Sequence, residues 1–370
     1  MSSYPHVMDA QCRPIVDIAA LGAQFAALEV YFARLPSDFF DARHLQVFLC
    51  SKNTASSWQA LPILSVVLLP NGGYYLSFAA HEFSAARKYQ FFDVDAFTQR
   101  SAEAQWRILW RGQELRLRLL PPRISALDAF QEYAYRDIRY FLHSPNTSEQ
   151  AAPLIICLHG GGEGGSGGEI HSPLLADKMA HWMFGADMQP YFPKAFVLVP
   201  QCPTYWLDNF VFNQRLCRAA RNYTADLQTI IEQVLAFEPR IDRRRIYLIG
   251  ASMGAYQSLR LLAAAPQYFA AAALACPAAL PDAAEFSGNV PLWLVHAQGD
   301  TVAPIEPARQ WAQSLQARNY PLRSDFPAAV QVQNQAVNAH GVYLMMYENA
   351  CFGHETGILE WLSQQRRRCD

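Results

Sequence analysis

The sequence predicts an α/β protein built on a doubly wound, mostly parallel sheet, preceded by a small all-β sandwich. Three observations lead there. From about residue 133 onward, short apolar runs alternate with segments of helical period. Before about residue 120, apolar residues alternate singly with polar ones and turn signals separate the runs. At 370 residues the chain is also long enough for two domains. The expected division is a β-sandwich over 1–122 and an α/β domain over 123–370, with Pro121-Pro122 at the seam.

In the first part, Leu28, Val30 and Phe32 share one strand face, as do Leu45, Val47 and Leu49. Pro70-Asn71-Gly72-Gly73 between Ile63–Leu69 and Tyr74–Phe78 predicts a hairpin, and Trp106–Trp110 and Leu115–Leu119 flank Arg111-Gly112-Gln113-Glu114 in the same manner. In the second part the strand candidates are Arg136–Leu142, Leu154–Leu158, Ala195–Val199, Ile246–Ile249, Ala271–Ala275, Leu292–Val295 and Val342–Tyr347. Between them, Leu227, Ile230, Ile231, Val234 and Leu235 fall on one helical face after Asn222, and Ala308, Trp311 and Leu315 mark another helix.

Apolar residues make up 51% of the chain and charged ones only 17%, a balance that suits a large core. A formal charge of −2 supplies no broad field for nucleic acid or an anionic membrane, and neither is expected as a partner. Arg366, Arg367 and Arg368 read as the solvated end of a terminal helix. The first residues carry no basic region, and Asp17 and Glu29 interrupt the apolar stretch Ile15 to Phe32, which therefore reads as neither signal peptide nor membrane span. The eight cysteines form no CxxC pair and several sit in apolar runs, so buried thiols in a reducing compartment, the cytoplasm, are expected.

The strongest chemical signal is Gly250-Ala251-Ser252-Met253-Gly254, after the strand candidate Ile246–Ile249 and before the helix-like Ala255 to Ala265. A strand, a sharp turn and a helix would raise the Ser252 hydroxyl at the top of the sheet, with small neighbours permitting the turn. The second signal is His159-Gly160-Gly161-Gly162-Glu163-Gly164-Gly165, after Leu154–Leu158. Its backbone N–H groups suit an oxyanion hole, with Gly161 and Met253 as donors and Gly160 and Gly162 close to substrate. The same run satisfies GxGxxG, but no helix opens at its third glycine and Asp187 is misplaced for a ribose contact, so no dinucleotide is expected. Glu163 reads as support for the loop. Trp206 follows a strand at the same edge and is a candidate for the substrate pocket, against ordinary packing beneath a loop.

A serine nucleophile needs a base and the base an orienting acid, in the order serine, acid, histidine for this architecture. Asp300 follows Leu292–Val295 and is the expected acid; Asp282 is the runner-up, and Glu306 reads as a helix cap. His296, His340 and His354 are the later histidines. If Val342–Tyr347 is a strand, His340 precedes it and lies at the wrong edge, while His354 follows it. His354 is therefore the expected base and His296 a packed neighbour.

From about Pro153 to Arg368 the chain resembles bacterial serine esterases and predicted peptidases of the α/β-hydrolase fold, related to prolyl oligopeptidases, polyhydroxybutyrate depolymerases and feruloyl esterases. The resemblance rests on Pro153–Gly165, Val199-Pro200-Gln201-Cys202-Pro203, Arg244–Gly254, His296–Pro304 and Gly353-His354-Glu355. Some members carry an immunoglobulin-like domain ahead of the hydrolase, and residues 1–122 look similar to one. The resemblance implies hydrolysis of a small-molecule carboxylic ester through a Ser252–His354–Asp300 acyl-enzyme mechanism, with no metal or organic cofactor. A peptidase acting on short peptides and a silent binding protein on the same scaffold are the alternatives. Residues 1–122 are expected to add nothing to the chemical step, and assembly into a homo-oligomer is left open.

Overall fold

A computed structural model describes residues 8–19, 21–32, 41–53, 57–79, 87–147, 151–165, 169–212 and 214–367. The chain forms two compact units. The first comprises Met1–Phe91, Arg100–Asp128 and Leu175–Asp177; the second comprises Phe92–Gln99, Ala129–Leu174 and Lys178–Asp370.

The first unit is built from two sheets. One runs, in spatial order, Arg116–Leu119, Asp9–Ala19, Gly22–Phe32, Tyr74–Phe78, Ile63–Leu68; the other runs Gln113–Glu114, Ala104–Trp110, Leu45–Ser51, Gln59–Leu61. Alternating side chains of both enter one core, where Cys12, Phe25 and Leu28 of the first sheet join Val47, Leu49 and Ile108 of the second. The hairpin predicted at Pro70–Gly73 is present. After Trp110 the turn is tighter than expected. Arg111 and Gly112 both have positive φ, as a two-residue hairpin loop requires, and Gln113–Glu114 returns along Ala104–Trp110. Arg116–Leu119 then crosses to the other sheet and pairs in parallel with Asp9–Ala19.

The second unit holds an eight-stranded sheet. Its strands are β1 (Gln131–Tyr135), β2 (Ile138–His143), β3 (Ala152–Leu158), β4 (Phe196–Gln201), β5 (Ile241–Ala251), β6 (Ala271–Ala275), β7 (Leu292–Val295) and β8 (Leu322–Asp325). The spatial order is β1-β2-β4-β3-β5-β6-β7-β8. β2 pairs antiparallel with both neighbours, and every other pairing is parallel. β3 and β4 are buried along their whole length, as two-sided burial of a parallel sheet demands. The helices used below are α1 (Thr224–Phe237), α2 (Met253–Ala264), α3 (Ile305–Ala317), α4 (Val342–Tyr347) and α5 (Ile358–Gln364). α1 buries the five residues assigned to its inner face, Leu227, Ile230, Ile231, Val234 and Leu235.

One expected strand is a helix: Val342–Tyr347 is α4. Its burial alternates at first, with Val342, Leu344 and Met346 inside and Tyr343 and Met345 partly covered, so six residues of this composition carry either period. The last strand of the eight-stranded sheet is instead β8, whose residues Leu322-Arg323-Ser324-Asp325 carry no apolar run. No disulfide joins the seven described cysteines, of which five are buried. Among the described residues, no helix is long and apolar enough to cross a membrane.

Candidate active site

Ser252 sits between β5 and α2 with φ 55° and ψ −118°, a conformation that costs a non-glycine residue energy and is held by its surroundings. Its N–H donates to the Ala275 carbonyl at 3.0 Å, and its own carbonyl accepts from Ala278 N at 3.1 Å, so the end of β6 clamps the turn. Ser252 is the N-cap of α2 and makes no capping bond from its side chain, which leaves the hydroxyl uncommitted to the helix. Backbone crowding accounts for the glycines on either side. A Cβ on Gly254 would stand 1.9 Å from Leu158 O, and one on Gly250 2.7 Å from Gly254 C. The first turn of α2 therefore lies against the end of β3, where the glycine-rich loop begins.

That loop is pinned by side chains. His159 is buried, accepts the Cys202 N–H on Nε2 at 3.0 Å, and so donates from Nδ1 to the Gly160 carbonyl at 2.7 Å. Burial pushes its pKa down to about 4, which keeps the ring neutral in this tautomer. Gly160 N–H donates to Glu163 Oε1 at 3.2 Å, and Gln201 Nε2 reaches the carbonyls of Glu163 and Glu169 at 3.0 Å each. A Cβ on Gly160 would lie 3.8 Å from Ser252 Cβ, and one on Gly161 3.3 Å from Met253 Cε, so the loop and the serine turn are in contact. As the first residue of α2, Met253 has an N–H with no partner inside the helix. Trp206 is 3% exposed, tilted over His159 at 5.0 Å and edge-on to Tyr223. It backs the loop from within the core.

The acid and the histidines divide differently from expectation. Asp300 lies beyond β7 with its carboxylate fully enclosed. Oδ1 accepts the N–H groups of Val302 and Ala303, and Oδ2 meets His340 Nδ1 at 2.8 Å and His296 Nε2 at 3.2 Å. Burial alone would raise this carboxyl, but hydrogen bonds from His296 and His340, the charge on His340 and the Ala303 amide outweigh it and hold it well below the usual range. His354 does not reach Asp300. Its Nε2 pairs with Asp325 Oδ2 at 3.1 Å, its ring stands edge-on to Trp293 at 4.8 Å, and its side chain is 37% exposed. The cause is α4: once Val342–Tyr347 is a helix, the edge argument that excluded His340 lapses, and the turn Ala339–Gly341 carries His340 to Asp300.

His296 donates from Nε2 to the Ala303 carbonyl at 2.9 Å, and its Nδ1 is buried without a partner among the described residues, so it is a packed neighbour of Asp300. Cys276, at the end of β6 with φ 39°, donates its thiol to the His340 carbonyl at 3.2 Å. Its Sγ, an Asp300 oxygen and a His340 nitrogen lie within 4.8 Å of one another, the group among the described residues with the donors to hold a metal. Burial favours a neutral His340 ring, but the Cys276 sulfur and the Asp300 carboxylate favour the charged form and move its pKa upward. His340 was the hardest of these residues to find from sequence. Its only signal was its position after the serine and the acid.

The alpha/beta hydrolase family model matches residues 155–355, more than half of the chain, and the protein belongs to that family. Among solved structures it is similar to a thermostable esterase at 21% identity and TM-score 0.74, covering 97% of this chain and 100% of that one. It also matches a ferulic acid esterase (11%, TM-score 0.44, 64% and 97%) and an acylaminoacyl peptidase with a chloromethyl ketone (14%, TM-score 0.40, 92% and 61%). Among curated proteins, none matches in sequence.

Proposed function

We propose that the protein is a serine esterase that cleaves carboxylic esters through an acyl-enzyme. Ser252 is the nucleophile, His340 its base and Asp300 the acid that orients the imidazole. The observation that carries this reading is the 2.8 Å contact of His340 Nδ1 with Asp300, at the same edge of the sheet as the strained serine turn. Because the ionised carboxylate only accepts, Nδ1 carries the hydrogen and Nε2 is left as the basic nitrogen. The N–H groups of Gly161 and Met253 are the donors for the oxyanion, and the start of α2 favours its charge. Water then releases the acyl group with His340 acting again as base.

The test uses the full chain with a fluorophosphonate probe and a panel of p-nitrophenyl esters. Ser252→Ala should abolish labelling and lower kcat by at least about a thousandfold. His340→Ala should be comparably damaging, while His354→Ala should leave the chemical step nearly unchanged. Full activity in His340→Ala with loss in His354→Ala would overturn the choice of base; retained hydrolysis and labelling in Ser252→Ala would overturn the nucleophile.

A further inference from the structure

A segment that lies before every triad and oxyanion residue in the chain is built into the glycine-rich loop. Gln90–Asp93 and Thr98–Ser101 form a small hairpin, and its Phe92–Gln99 portion belongs to the hydrolase unit. The Gly162 carbonyl accepts from Gln99 N at 2.8 Å and from the buried Thr98 Oγ1 at 3.3 Å. The Phe97 ring presses on Gly161, where a Cβ would come within 2.7 and 2.8 Å of ring carbons. Phe97 itself is 5% exposed, has φ 51°, and packs against Tyr205, Phe210 and Phe212, the last at 4.7 Å between centroids.

These contacts act on one peptide group, that between Gly160 and Gly161. The Gly160–Gly161 peptide bond is trans, so the Gly160 carbonyl and the Gly161 N–H point in opposite directions. His159 holds the carbonyl toward itself, and the N–H is thereby aimed away from His159. Orientation on that side alone would leave the following residue free to swivel. Phe97 against Gly161 and the two donors on Gly162 remove that freedom from the other side.

We propose that the Phe92–Gln99 segment, through Phe97 and Thr98, is a positioning element of the active site that holds the Gly161 N–H in line for the oxyanion. The proposal rests on the acyl-transfer reading above, and it revises the expectation that residues 1–122 stand apart from the chemical step. An oxyanion donor works only when fixed before the charge develops, and loss of one costs about a hundredfold to a thousandfold in kcat. A loosened donor should cost part of that.

The experiment compares full-length wild type with Phe97→Ala, Phe97→Leu, Thr98→Val, Gly161→Ala and the Phe97→Ala/Gly161→Ala double variant. It reads p-nitrophenyl acetate kinetics, the rate of Ser252 phosphonylation and melting temperature. Phe97→Ala should lower kcat and the phosphonylation rate together by about tenfold or more, with KM changing much less, and Phe97→Leu should restore most of the rate. Gly161→Ala should be slow because its methyl meets the ring, and removing the ring in the double variant should recover activity. Wild-type rates in folded Phe97→Ala and Thr98→Val, or a double variant no faster than Gly161→Ala, would overturn the proposal. Should Phe97→Ala fail to fold, Thr98→Val decides: a lowered kcat at an unchanged melting temperature supports the role and a wild-type kcat removes it. A wild-type protein that neither labels nor hydrolyses would instead bring down the esterase reading itself.

Discussion

At the scale of residues, the contact between Cys276 and His340 makes a prediction about pH. His340, the proposed base, must be neutral to take the serine proton, and its pKa lies above the ordinary value of about 6.5. Activity is therefore lost as the pH falls through that raised value, and the acid limb of kcat/KM should lie above about 6.5. Cys276→Ala removes one of the influences that favour the charged ring, so its limb should move to lower pH; an unmoved limb in the variant would refute the coupling. Stability has the opposite sense. A raised histidine pKa adds stability that is complete below about 6.5 and is lost as the pH climbs through the folded value. The places of Ser252 and Asp300 in the fold were readable from sequence because each follows an unmistakable apolar strand. His340 was not, because its place depended on a run of six residues that fits two conformations. Phe97 and Thr98 carried no signal at all, since their partners lie across the fold and not along the chain.

Among elements, the junction of β3, β5 and α2 is the tightest. A methyl on Gly254 would meet the carbonyls of Leu158 and His159 at 1.9 and 2.6 Å, and backbone atoms cannot swing aside. Gly254→Ala should destabilise the protein by at least about 2 kcal/mol in urea unfolding and abolish ester hydrolysis. Native-like stability would mean that α2 can slide on β3. The same junction explains which elements the sequence disclosed. β3, β6 and β7 are continuous apolar stretches because helices cover both sheet faces, and the sequence marks them to within a few residues. β5 shows only its buried apolar part, Ile246–Ile249, and its start through Asp242, Arg243 and Arg244 carries no apolar pattern. β8 lies at the edge of the sheet with its side chains only partly covered, so Arg323 and Asp325 are tolerated and no apolar pattern marked it. α4 failed for the reverse reason. It is mostly buried and only six residues long, too short for a helical stripe to show.

For the molecule as a whole, Pro121-Pro122 is a seam in sequence that does not coincide with the packing. A chain beginning at residue 123 would lack Phe92–Gln99 and leave Tyr205, Phe210 and Phe212 without the ring of Phe97. Such a truncation should be less soluble, bind a hydrophobic dye and label with fluorophosphonate more slowly than the full chain. Labelling of a folded truncation at the full rate would mean that the segment is dispensable. The same interleaving bears on how the protein is made. A ribosome extends a chain at about 5–20 residues per second. Phe97 therefore leaves the exit tunnel on the order of ten seconds before Phe210 and Phe212 are synthesised. During that interval the strands on either side of it can close into their sheets, while Phe92 to Gln99 must wait uncovered for a part of the chain not yet translated. The order of synthesis thus runs against the order of packing, and the segment that fastens the glycine loop is among the last to find its place.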